Sequence, residues 1–214
     1  GTLPGGFQTF ATDLNESGQV VGEVQDGATF VSPFLWQNGV MTDLGSLGGG
    51  IQDSLQFSIE IFGAEGINES GQVVGFSPLT YNDPNNVHAF LWQNGVMSDL
   101  GTLGGMSIAL DINDGGQVVG FSNTTGFLWQ NGVMTNLNTL LPPGSPVVIQ
   151  SAWAINNSGQ IVGTSNQGAY LMDGTNITIL SPAGFAVDLN ENGQVVGTTF
   201  VWDNGNLIDL GSFV

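Results

Sequence analysis

Apolar residues in this chain fall in short runs of four to six, broken at recurring places by Gly, Asn, Asp and Ser, and no stretch carries them at helical spacing. The clearest runs are FLWQNGVMTDL from Phe34, FLWQNGVMSDL from Phe90 and FLWQNGVMTNL from Phe127. Asn38-Gly39, Asn94-Gly95, Asn131-Gly132 and Asn204-Gly205 each join two such runs. Asn-Gly is the strongest short hairpin signal, because both residues tolerate the positive φ of a type I′ turn.

A second anchor, GQ(V/I)VG, occurs five times, beginning at Gly18, Gly71, Gly116, Gly159 and Gly193, with spacings of 53, 45, 43 and 34 residues. Each copy follows a segment that reaches an Asn: ATDLNES, AEGINES, ALDINDG, AWAINNS and AVDLNEN. The Asn-x-x-Gly-Gln link reads as the turn between a first and a second strand. Four strand-like pieces therefore recur in fixed order, which predicts a four-stranded antiparallel meander of roughly 45 residues. Runs such as QVVG and FLW are apolar on both parities, the mark of strands covered on both faces.

The pattern predicts an all-β chain, a five-bladed β-propeller forming a single repeat domain over 1–214, with units near 7–50, 51–106, 107–146, 147–182 and 183–214. The alternative is an open stack of repeated β-sheets. Unit 2 carries an insertion at 51–63 and a Pro/Asn-rich loop at 77–86, and unit 5 is short. The opening GTLPGG matches the linker LGTLGG at 100–105, and the closing LIDLGSFV reaches the same point of the cycle. That phasing lets the end of one molecule run on into the start of the next.

Charge narrows the function. There are 18 Asp and Glu and no Lys or Arg, for a formal charge of −18. Nucleic-acid binding is disfavoured because no cationic side chain can displace phosphate counterions, and anionic membrane surfaces are disfavoured likewise. Trypsin-like proteases find no cleavage site. No cysteine is present, so disulfides and thiolate metal sites are excluded. No apolar run approaches 18 residues, which argues against membrane insertion, and GTLPGG lacks a basic leader region, as expected of a mature secreted form without its signal peptide.

His88-Ala89-Phe90 leading into LWQNGVMSDLGTLGG, together with INESGQVVG, resembles the HAF-repeat family of extracellular bacterial proteins. The resemblance covers nearly the whole chain as degenerate copies, and only unit 2 has the literal His-Ala-Phe. It implies a secreted, repeat-built protein and brings no catalytic residues.

Three turns, with Asp13 and Asn15, Asp111 and Asn113, and Asp188 and Asn190, resemble D-x-N-x-[polar]-G calcium loops. The bidentate acid expected further on is missing, and units 2 and 4 lack the first Asp, so turn formation competes with calcium binding. His88 has no partner for a common nucleophilic triad and reads as a strand residue beside a loop. Trp36, Trp92, Trp129 and Trp202 occupy equivalent positions; they are either inter-sheet core or sugar-stacking platforms. Asn15, Asn68, Asn123, Asn156 and Asn176 begin N-x-S/T sequons, three of them in the repeated turn. Repetition without a unique constellation points to a non-enzymatic extracellular structural protein whose partner is itself, in a filament, sheath or surface layer. The rival expectations are a multivalent lectin for extracellular glycans and, third, an enzyme built on one acid pair or His88.

Overall fold

The computed structural model describes residue 3 and residues 8–25, 31–48, 63–80, 86–182 and 184–211. The insertion at 51–62, residues 81–85 of the Pro/Asn-rich loop, and most of the opening linker lie outside the described residues.

Five four-stranded antiparallel sheets follow one another along the chain, each in simple meander order. Sheet 1 comprises β1 (Gln8–Leu14), β2 (Val20–Gln25), β3 (Val31–Gln37) and β4 (Val40–Asp43). Sheet 2 comprises β5 (Gly63–Ile67), β6 (Val73–Pro78), β7 (Val87–Gln93) and β8 (Val96–Asp99). Sheet 3 comprises β9 (Ser107–Ile112), β10 (Val118–Ser122), β11 (Thr125–Gln130) and β12 (Val133–Asn136), followed by a short 3₁₀ turn at Leu137–Leu140. Sheet 4 comprises β13 (Ile149–Ile155), β14 (Ile161–Ser165), β15 (Gly168–Asp173) and β16 (Asn176–Ser181). Sheet 5 comprises β17 (Ala186–Leu189), β18 (Val195–Gly197), β19 (Phe200–Asp203) and β20 (Asn206–Asp209), so the short last unit still has all four strands.

The Asn-Gly pairs turn as expected. Asn38, Asn94, Asn131 and Asn204 have φ of 51°, 52°, 52° and 48°, and each is followed by a positive-φ glycine, the two left-handed residues of a type I′ turn.

The last glycine of GQ(V/I)VG has a different reason. The first strand of each sheet carries a bulge opposite it, with register slips between Ala11 and Asp13, Ala64 and Gly66, and Ala152 and Ala154. The slip presses the backbone of the first strand onto the second. A Cβ on Gly22, Gly75, Gly120 or Gly163 would lie 1.9, 1.9, 2.0 or 2.1 Å from a main-chain carbonyl oxygen of that strand. Only glycine fits.

The core is not one mass but four, one between each pair of successive sheets. Val21 and Leu44 of unit 1 pack on Ala64, Ile67, Val73 and Phe90 of sheet 2. Val74 packs on Ala109, Ile112, Val118 and Phe127 of sheet 3. Val119 packs on Ile149, Ala152, Ile155 and Tyr170 of sheet 4. Val162 and Leu171 pack on Ala186, Val195 and Phe200 of sheet 5. Successive residues of each Val-Val pair thus face opposite neighbours, which is why the run is apolar on both parities.

The first strands β1, β5, β9, β13 and β17 form the inner row of the array, each next to the first strand of the adjoining sheet. Among the described residues, sheets 1 and 5 are not buried against each other as successive sheets are. Leu14 of sheet 1 is 67% exposed where its equivalents Ile67, Ile112 and Ile155 are buried, and Val196 of sheet 5 is 41% exposed where Val74, Val119 and Val162 are fully buried.

Candidate functional site

The repeated turns do more than reverse the chain. In sheet 1 the amide of Gly18 donates to the carbonyl of Asn15 at 3.0 Å, with Gly18 left-handed at φ 73°. The Asn15 Oδ1 accepts from the Gln19 amide at 3.0 Å, and one Nδ2 hydrogen goes to Gln19 Oε1 at 2.7 Å. The other Nδ2 hydrogen leaves the sheet and reaches the carbonyl of Asn68 at 3.0 Å.

This reach is repeated at every junction. Asn68 Nδ2 donates to the Asn113 carbonyl at 3.1 Å, Asn113 to Asn156 at 3.0 Å, and Asn156 to Asn190 at 3.2 Å. A second row runs beside it. The amides of Glu16, Glu69, Asp114 and Asn157 donate to the side chains of Glu69, Asp114, Asn157 and Glu191 respectively. Two hydrogen-bonded rails thus tie the five turns in chain order. Asn15, Asn68, Asn113 and Asn156 are buried, whereas Asn190 at the open end is exposed.

The acidic residues of the same turns form a third row. Asp13 accepts from Leu14 in its own sheet and from Ile67 in the next, both at 2.8 Å. Asp111 accepts from Ile112 and Ile155, both at 2.7 Å. Asp188 accepts from Leu189 at 2.7 Å and lines a hollow on sheet 5. Each bridging Asp meets a following sheet that has Gly66 or Ala154 in place of an Asp, so the amide it takes is otherwise unclaimed.

Burial raises the Asp13 carboxyl above its ordinary range despite those bonds, with Asp188 adding to the effect. Asp111 is pushed up to about 7, chiefly by burial and further by the Asp13 and Asp188 charges. Glu65 is likewise raised to about 7 by burial and by Glu23 across the sheet 1–sheet 2 junction.

Apart from one oxygen of Asp188, the side-chain oxygens of the residues read as calcium loops are engaged by the backbone. Asn15, Asn113 and Asn190 each accept from a Gln amide, and both oxygens of Asp13 and Asp111 accept from amides. Among the described residues no group of three or more His, Asp or Glu could hold a metal ion. Three of the five sequons, at Asn15, Asn68 and Asn156, have both Nδ2 hydrogens committed to the rails.

The repeated indoles are half-buried between sheets: Trp92 against the sheet 1–2 core, Trp129 against the sheet 2–3 core, and Trp202 against the sheet 4–5 core. Met172, buried, takes that place in sheet 4. His88 lies on β7 with Nδ1 2.9 Å from both oxygens of Asp99 on β8.

Two surfaces were missed by sequence reasoning. One is the leading face of sheet 1, with Ala11 and Leu14; the other is the trailing face of sheet 5, where Asp188, Asn190, Gln194, Val196 and Val201 line a hollow. Their residues match those buried at the four internal junctions, so no local signal marks them as exposed. No family model matches the chain, and no curated protein matches it.

Proposed function

We propose that this chain is a non-enzymatic extracellular structural protein whose copies join head to tail, the leading face of sheet 1 on one copy seating on the trailing face of sheet 5 on another. The observation that carries the reading is that Ala11 and Leu14 on one face and Val196 on the other are exposed where their equivalents lie in a joint the chain already makes four times, Phe34 of the leading face being covered already. The polar complement is present as well. Asn190 Nδ2 and the Glu191 amide have none of the onward bonds their equivalents make, and the Asn15 carbonyl and Glu16 carboxylate are the groups that would receive them.

A contact between two different faces is heterologous and, unless its rotation closes, propagates into a filament. Each added copy continues the row of five sheets by the same operation, so the polymer is helical. An extracellular place, as in the HAF-repeat family, suits a chain that offers trypsin-like proteases no Lys or Arg. The carboxylates of the repeated turns serve the fold through backbone bonds, which supports a structural reading over a catalytic one.

Sedimentation velocity over a wide concentration range at several pH values, with electron microscopy of the same samples, tests this. Oligomers in steps of one chain and narrow helical fibres are expected. A monomer under every condition overturns it.

A further inference from the structure

We propose that the head-to-tail joint is closed by a proton shared between Asp188 of one copy and Asp13 of the next, so that assembly is switched on as pH falls. This rests on the self-assembly reading above. It follows from the order of residues along the inner strands.

At the four internal junctions the position that bears Asp13, Asp111 and Asp188 alternates between Asp and a small residue: Asp13, Gly66, Asp111, Ala154, Asp188. Wherever an Asp precedes a small residue, its outer oxygen takes the next sheet's free amide, Ile67 or Ile155. Wherever a small residue precedes an Asp, the next amide is held by that Asp itself, as Ile112 is by Asp111 and Leu189 by Asp188. No internal junction sets two Asp-bearing sheets side by side.

The joint between copies does. Asp188 would reach for the amide of Leu14, which Asp13 already holds at 2.8 Å. Two carboxylates then converge on one N–H, and two like charges at that range cannot both stay ionised. One proton bound between them converts the repulsion into a carboxyl–carboxylate hydrogen bond. No base is consumed and no other bond changes.

The surroundings offer no other relief. On the sheet 5 side the charged groups are Asp188 and Glu191, and on the sheet 1 side Asp13, Glu16 and Glu23. Asp111 of sheet 3 and Glu65 of sheet 2, both raised to about 7, offer no positive charge, and the inner strand of sheet 4, IQSAWAI, has no titratable group. The whole chain has no Lys or Arg to neutralise them. Burial, with the Asp188 charge adding to it, already holds the Asp13 carboxyl above its ordinary range in the single chain.

Linkage to one proton changes the association constant by up to about tenfold per pH unit. The experiment is sedimentation equilibrium of the whole chain from pH 7.5 to pH 5, in about 0.5 M NaCl so that long-range repulsion is screened. The dissociation constant is expected to fall at least about tenfold over that range. Asp188→Asn, whose Oδ1 can keep the Leu189 amide while Nδ2 donates to Asp13, is expected to assemble at pH 7.5 about as well as the unmodified chain does at pH 5. Asp43→Asn, an equal charge change on the outer strand of sheet 1, is expected to behave like the unmodified chain.

Assembly that is equally strong at all pH values, or an Asp188→Asn variant indistinguishable from Asp43→Asn, overturns the proton switch while leaving head-to-tail assembly standing. Absence of assembly throughout, in Asp188→Asn as well, overturns both.

Discussion

The side-chain amide of Asn113 donates to the main-chain carbonyl of Asn156 at 3.0 Å, a bond that joins sheet 3 to sheet 4 across 43 residues of sequence. Asn113 is 5% exposed, so losing its side chain would strand buried donors and acceptors in both sheets.

Removing such a rail member should therefore cost far more inside the array than at its end. Asn68→Ala is expected to lower stability by about 2–4 kcal/mol, because it uncouples the Gln72 amide and side chain and the Asn113 carbonyl together. Asn190→Ala, at an exposed position whose side chain bonds only inside its own turn, should cost below about 1 kcal/mol. Urea unfolding of both variants, compared at a common slope, measures the difference.

Glycine substitutions separate a packing need from a dihedral need. Gly120→Ala would put its Cβ 2.0 Å from the Ile108 carbonyl oxygen, and the bulge cannot yield without breaking the β9–β10 ladder. A loss above about 3 kcal/mol is expected. Gly132→Ala meets nothing within 4 Å and bears only the strain of φ 84°, about 1–2 kcal/mol. Thermal unfolding of the two variants ranks them.

Stability should decline as pH rises toward neutrality. Asp111 and Glu65 are raised to about 7 in the folded chain, above their ordinary carboxylate values, so the folded state holds more protons than the unfolded state between about pH 4 and pH 7. Their stabilising share is complete below pH 4 and is lost as pH passes through 7, roughly 2–4 kcal/mol for the two together after allowing for solvent screening of Glu65. Glu65→Gln should flatten part of that slope. Denaturant midpoints at pH 5, 6, 7 and 8 give the test.

Calcium should have little to grip. A cation at the Asp13 turn would have to displace the Leu14 and Ile67 amides from the carboxylate it needs. Calcium or a chelator is expected to move the melting temperature by less than about 2 °C, and a larger rise with calcium would restore the turns as metal sites.

Much of the fold was legible because its signals are local. Asn131-Gly132 demands a positive-φ turn wherever it occurs, and Val118-Val119, buried on both sides, announces a strand between two neighbours. What could not be read is what crosses between units. Asn113 looked like a turn former or a calcium ligand, since both uses call for the same side-chain oxygen; its decisive bond is made by its amide to a residue 43 positions away. Gly120 was visible as a repeated letter, but its cause is the Ile108 carbonyl pressed against it by a bulge, a contact no spacing encodes. Leu14 and Val196 are more telling still. They have the same chemistry as their buried equivalents, and only their place at the ends exposes them.

The four separate cores imply a thermodynamic character of their own. A molecule whose units touch only their nearest neighbours behaves as a one-dimensional array, in which each interior unit is held by two interfaces and each terminal unit by one. Sheets 1 and 5 should accordingly exchange their amide hydrogens first, fraying inward while sheet 3 stays shut. Anything that turns an end into an interior, whether a second copy or an added unit, would then protect the whole array by an interface it does not itself contain.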